Sequence, residues 1–262
     1  MFKYPISNFT IMAELADLTD KIKKYYTFTR YEARGLILSI LAVAFIISFR
    51  DWGADKFDFG VGFFNFLISV LIVAVSILVH DAGQRIWGLA IGYKIEFKMW
   101  SFGIVIGLIA AFLSNGNFWL IVPGSFLLHH LAGHRLGFFR YGINIIGQAM
   151  TALAGPLFTL MLIILLKVFY VISPNPFIQK AIMFNVVYNI TNMLPIPVLD
   201  GGKIFFGSRM IYAFVMPAMI VATILMIIDI PVFFAVVLSL LVGVVLWLWY
   251  YITFERKAWK GP

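Results

Sequence analysis

Long apolar runs separated by short polar connectors dominate the chain. A helix that crosses the hydrocarbon core of a membrane needs about 20 mostly apolar residues, each rising about 1.5 Å. Six segments meet that requirement: 34–49, 60–80, 151–172, 180–199, 210–228 and 232–253. A further apolar stretch, 102–124, is interrupted by Ser114-Asn115-Gly116-Asn117 and closed by Pro123-Gly124. Backbone that is not helical is tolerated at membrane depth only where it is buried in protein or faces water. The stretch is therefore expected to be re-entrant, as a helical hairpin or a surface β-segment, and to line a cavity or groove; a seventh crossing there would invert the later charge pattern. Residues 125–141, with glycines at Gly133, Gly137 and Gly142, read as a β-hairpin. The predicted fold class is an all-α polytopic membrane protein, with about six transmembrane helices and a re-entrant or β-hairpin segment between the second and third. One domain covers 34–254, after an amphipathic cytoplasmic segment 1–33 and before a short tail, 255–262.

Composition supports this class. Of the 262 residues, 62% are hydrophobic and 12% charged, against about 45–50% and 25% in soluble domains. The net charge of +8 comes from cations at the ends of apolar runs, which excludes a nucleic-acid-binding face and points to membrane lipids as the first partner. Lys23, Lys24, Arg30 and Arg34 precede the first run; Arg85, Lys94 and Lys98 follow the second; Lys203 and Arg209 follow the fourth; Arg256, Lys257 and Lys260 close the chain. By the positive-inside rule both termini are cytoplasmic. With no cysteine, any metal must be held by His, carboxylate or amide groups.

Charged groups inside spans cost roughly 2.5–3.5 kcal/mol on insertion scales, so those present call for an explanation. Three clusters stand out: His80-Asp81-Ala82-Gly83-Gln84, Ala154-Gly155-Pro156, and Asn192-Met193-Leu194-Pro195-Ile196-Pro197-Val198-Leu199-Asp200-Gly201-Gly202. In this order they resemble the three signatures of the site-2 proteases, intramembrane zinc metalloproteases: H-E-x-x-H, A-G-P and N-x-x-P-x-P-x-L-D-G-G. The third matches at every defined position. The run Tyr93 to Trp100 is similar to one in archaeal members, and the resemblance covers about residues 60–205.

The resemblance implies that His80 and Asp200 stand at zinc-ligand positions, that Gln84 replaces the second histidine ligand, and that Asp81 replaces the glutamate acting as general base. A neutral amide is a much weaker zinc ligand than imidazole, and Asp81 is one methylene short for proton transfer. Thr159 replaces an asparagine that often follows A-G-P. The expectation is a catalytically inactive pseudoprotease without a cofactor, acting as a scaffold or subunit of a membrane complex and binding a transmembrane helix, in an archaeal plasma membrane. Gly155, Pro156, Asn192, Pro195, Pro197, Gly201 and Gly202 then serve helix packing and helix breaking. The alternative is a divergent active metalloprotease with zinc on His80 and Asp200, or a site for a harder cation using Asp81 and Asp200. Without metal, His80 is expected to pair with one or both carboxylates and lock two helices together. His129, His130 and His134 read as surface or partner-contact residues rather than ligands. Asn185, Asn189 and Asn192 are open to either ligation or helix-to-helix hydrogen bonding.

Overall fold

The computed structural model describes residues 8–53, 56–131, 144–228 and 230–256, with side chains from residue 15 onward. A first helix, α1 (Asn8–Tyr25), leads into α2 (Arg30–Ser48). The start of α2 is fixed by a capping box: Thr29 Oγ1 accepts from the Glu32 N–H at 3.2 Å, and the Glu32 carboxylate accepts from the Thr29 N–H at 3.3 Å. Helix α3 (Phe59–Ala90) begins at Asp58, whose carboxylate accepts the Val61 N–H. Its 32 residues make it about 48 Å long, well beyond the roughly 30 Å of a hydrocarbon core. Strand β1 (Tyr93–Met99), α4 (Ser101–Leu113) and β2 (Gly124–His130) follow. The remainder is helical: α5 (Ile145–Ile172), α6 (Pro176–Asn192), α7 (Asp200–Gly207), α8 (Arg209–Leu225) and α9 (Val232–Tyr250), extended by a π-type turn, Tyr251–Glu255.

Four helical segments, Arg30–Ser48, Phe59–Ala90, Ile145–Ile172 and Val232–Glu255, are long and apolar enough to cross a membrane, and the chain is an integral membrane protein. Much of their apolar surface faces outward, as lipid-facing helices require: Phe233, Leu241 and Val245 of α9 are all exposed. The other two expected spans, 180–199 and 210–228, are 17-residue helices, α6 and α8. Helix α6 starts earlier than expected because Asn175 caps it and Pro176 occupies the first turn, where a missing N–H costs nothing. It stops at Asn192 rather than running to Leu199. Pro195 and Pro197 cannot donate, and the chain passes through a turn in which the Ile196 N–H reaches back to Leu194 O at 2.8 Å.

The stretch 102–124 runs out and folds back along itself. Helix α4 runs out for 13 residues; the chain turns at Asn115 and Gly116, both at positive φ; and residues 118–123 return along the helix. The Trp100 N–H donates to Pro123 O at 3.2 Å, closing the loop. Gly107 allows the close approach: a Cβ there would sit 2.6 Å from Leu120 O. The all-α expectation needs one correction, because β1 and β2 pair antiparallel, from Tyr93↔His130 to Met99↔Gly124. Among the described residues, the partner of β2 is thus the run that follows α3. Most of the second arm expected within 125–141, including His134, lies outside the described residues.

Small residues bring α3, α5 and α7 together. A Cβ on Gly83 would lie 2.6 Å from the Phe158 ring and 2.9 Å from Ala154 O, and Gly201 and Gly202 pack against the broken segment that precedes them. A Cβ on Gly202 would meet the Ile196 carbonyl oxygen at 2.0 Å, and backbone cannot move aside as a side chain can. Gly202→Ala is therefore expected to destabilise the protein by about 3 kcal/mol, read as a lowered unfolding temperature in detergent. Gly60→Ala, whose Cβ meets nothing nearer than Asp58 Oδ1 at 3.4 Å, is the control and should stay close to the parent.

Candidate functional site

Helical periodicity puts His80 and Gln84, four residues apart, on one face of α3. Opposite them, α5 supplies Gly155 and Thr159, and the proline-broken segment after α6 delivers Asp200 at the first turn of α7. His80 Nε2 lies 2.8 Å from Asp200 Oδ2, and Gln84 Nε2 donates to Asp200 Oδ1 at 2.9 Å. His80 Nδ1 meets Thr159 Oγ1 at 2.9 Å, and that hydroxyl reaches the Gly155 carbonyl at 3.2 Å. Gly155 is needed for this approach, since a Cβ there would fall 2.3 Å from His80 Nε2. His80, Gln84 and Asp200 are each 4–5% exposed.

Asp81 belongs to a different network. Its Oδ2 accepts from Arg85 Nε at 2.5 Å, one turn along α3, and Arg85 Nη2 pairs with Glu32 Oε1 of α2. The same Glu32 oxygen accepts the Phe97 N–H of β1 at 2.7 Å. The guanidinium lies 4.3 Å from the Phe28 ring centroid and 5.6 Å from that of Tyr26. Arg85 is 2% exposed and Glu32 1%. The sequence reading that placed Arg85 among loop cations is thereby corrected: it is the centre of a buried ion triad. Lys203 is corrected in the same way. It donates to Ser125 Oγ at 2.6 Å and to Phe126 O at 3.2 Å, with its ammonium 3.3 Å from the Phe126 ring centroid, pinning β2 to α7. Burial pulls its pKa down to about 8.

Between the two networks is a cavity of about 10 Å³, lined by His80, Asp81, Gln84, Tyr188, Asn192 and Asp200 among others. That is room for the centre of roughly one water. Asp81 Oδ1 is buried without a hydrogen-bond partner among the described residues and borders this cavity, so a single water there would satisfy it. A peptide does not fit in such a space.

The donor set does not fit zinc. Tetrahedral zinc with bonds of about 2.0–2.1 Å holds its ligand atoms about 3.3 Å apart, whereas 2.8 and 2.9 Å are hydrogen-bond separations. His80 Nε2 is engaged with Asp200 in this arrangement, at hydrogen-bond rather than metal-bridged separation. Both Asp200 oxygens are engaged, and Asp81 faces a cation. No group of three or more His, Cys, Asp or Glu side chains among the described residues is placed to hold a metal ion. For the harder-cation alternative, Asp81 and Asp200 border one small cavity but hydrogen-bond to different partners, Arg85 for the first and the pair of His80 and Gln84 for the second.

The remaining polar residues serve packing. The Asn185 amide donates to Ala181 O, that of Asn189 to Pro156 O across to α5, and that of Asn192 to Tyr188 O. His129 is half exposed and pairs with Glu96 at 3.1 Å, while His130 packs on the Tyr93 ring. Sequence reasoning missed Glu32, Arg85 as a buried group, and the structural role of Lys203.

These motifs, H-x-x-x-Q on one helix facing A-G-P on the next and L-D-G-G after a broken helix, resemble those of the site-2 proteases and are consistent with a divergent, site-2-protease-like membrane protein. The chain is 26% identical over 197 residues to a protein of Methanocaldococcus jannaschii named "Putative zinc metalloprotease"; the match covers 72% of this chain and 91% of that protein. No family model matches the chain, and no solved structure matches it significantly.

Removing one member of a buried ion cluster strands its partners. Arg85→Met is expected to cost about 3–5 kcal/mol in denaturant unfolding, and the neutral triple variant Glu32→Gln, Asp81→Asn, Arg85→Met should recover most of that loss. Lys203 generates a pH dependence. The folded protein releases this proton near pH 8, while an unfolded lysine holds it to about 10.4. The unfolded state therefore binds more protons between those values, and stability rises with pH across that window. Lys203→Met should lack this rise when the two unfolding curves are compared from pH 7 to about pH 10.

Proposed function

We propose that this chain is a catalytically inactive site-2-protease-like protein that serves as a scaffold or subunit of a membrane complex, holding a transmembrane helix of a partner. The observation that carries this reading is the hydrogen-bonded cluster of His80, Gln84 and Asp200, which is closed on itself. The cavity beside it has room for about one water and none for a peptide. One Asp81 oxygen is committed to Arg85, so a single oxygen of that carboxylate is left for the water a general base would deprotonate. In this reading α6 and α8 complete a six-span bundle and the α4 loop is re-entrant. Both termini face the cytoplasm of an archaeal cell, in its plasma membrane. The convergence of His80, Gln84 and Asp200 is also what a divergent metalloprotease would require, and metal content separates the two readings.

Elemental analysis of the purified protein beside a His80→Ala control should find no stoichiometric zinc in either, and a chelator should leave the unfolding temperature unchanged. Near-stoichiometric zinc that is lost in the control, with chelator-dependent stability, would replace the scaffold by an active protease.

A further inference from the structure

A second cavity lies at the opposite end of the bundle. From Phe59 at the start of α3 to His80 the helix rises about 30 Å, roughly one hydrocarbon thickness, so the two regions sit at opposite membrane boundaries. The cavity measures about 1120 Å³ and is walled by the loop after α2, the turn after α4 and the first turns of α6. Among the described residues, three cations, Arg50, Lys56 and Lys180, line it beside the carboxylate of Asp51.

We infer that this cavity binds the headgroup of an anionic phospholipid. Two of its cations, Lys180 and Arg50, are held in place by the protein. Lys180 Nζ is fixed by Asp51 Oδ2 at 2.5 Å and Ser69 Oγ at 2.8 Å. Arg50 is oriented by the Asn117 side-chain oxygen, a contact that uses one of the five N–H donors of a guanidinium and leaves its planar fork available for phosphate oxygens. Aromatic rings frame the mouth: Trp52 stacks on Phe57 with centroids 5.9 Å apart, and Trp119 forms part of the wall. This is the amphipathic setting of a membrane interface. Phe57, Phe59 and Phe118 are 59–74% exposed beside it, offering apolar surface to acyl chains. The volume far exceeds a free phosphate, and the apolar rim gives an inorganic anion nothing to bind. Basic residues at such a surface each add to the attraction for anionic lipid.

The test is native mass spectrometry of the full-length protein in detergent, titrated with phosphatidylglycerol, phosphatidylcholine or inorganic phosphate. The expected result is preferential retention of phosphatidylglycerol, weakened about tenfold in Arg50→Gln, Lys56→Gln. A matched loss of two charges at the other end, Arg34→Gln, Lys98→Gln, should leave it unchanged. All four side chains are exposed, so both variants should fold. Equal retention of the two lipids by the parent protein, or equal weakening in both double variants, would overturn the site. Displacement of phosphatidylglycerol by millimolar inorganic phosphate would overturn the lipid assignment in favour of a free anion.

Discussion

Arg85 carries a permanent charge into an interior where an unpaired ion costs several kcal/mol, and its surroundings are organised to meet that cost. Two carboxylates from different helices, Asp81 and Glu32, neutralise it, and the rings of Phe28 and Tyr26 lie close to the guanidinium. Glu32 also closes the capping box of α2 and accepts the backbone N–H of Phe97 in β1. One side chain therefore sets the start of a membrane helix, the seat of the strand pair and the charge balance of the motif helix. Because Asp81 is a member of this cluster, one of its carboxylate oxygens is held by Arg85, while the residue still borders the cavity it shares with His80 and Asp200.

The retained A-G-P and D-G-G segments have physical reasons to persist without hydrolysis. Gly155 lets the His80 ring approach α5, and Gly201 and Gly202 lie against the carbonyls of Met193 and Ile196, all at separations no Cβ would permit. The hydroxyl of Thr159 holds the Nδ1 of His80 and Asp200 meets its Nε2, so the ring is fixed on both sides by hydrogen-bond partners. Such a cluster ties α3, α5 and α7 together by hydrogen bonds in a setting where hydrophobic driving force between helices is weak.

Local pattern made much of this legible. The apolar runs marked the long helices, Pro195 and Pro197 marked a break, and the i, i+4 spacing of His80 and Gln84 placed them on one face. The end of α6 at Asn192 was harder to read because the apolar run continues past the point where proline removes the donors. The triad was hidden for a different reason. Glu32 and Arg85 are 53 positions apart, and each sits where an anchoring charge is expected, so only tertiary structure distinguishes a buried ion from a solvated one. Lys203 was misplaced by the same ambiguity. The pairing of β1 with β2 depends on the α4 excursion folding back on itself, which no short-range signal encodes.

The length of α3 has a further consequence. A helix of about 48 Å in a hydrocarbon layer of about 30 Å must project beyond it or lean. Measured from Phe59, His80 to Arg85 lie near the far boundary of that layer. The polar core of the protein therefore sits where small changes in bilayer thickness decide whether it borders hydrated headgroups or acyl chains. A thicker membrane draws the triad inward, where its pairing must be complete, and a thinner one lets water share the burden. Hydrophobic mismatch, which long helices meet by tilting or by projecting, therefore bears on the same end of α3 that carries the triad.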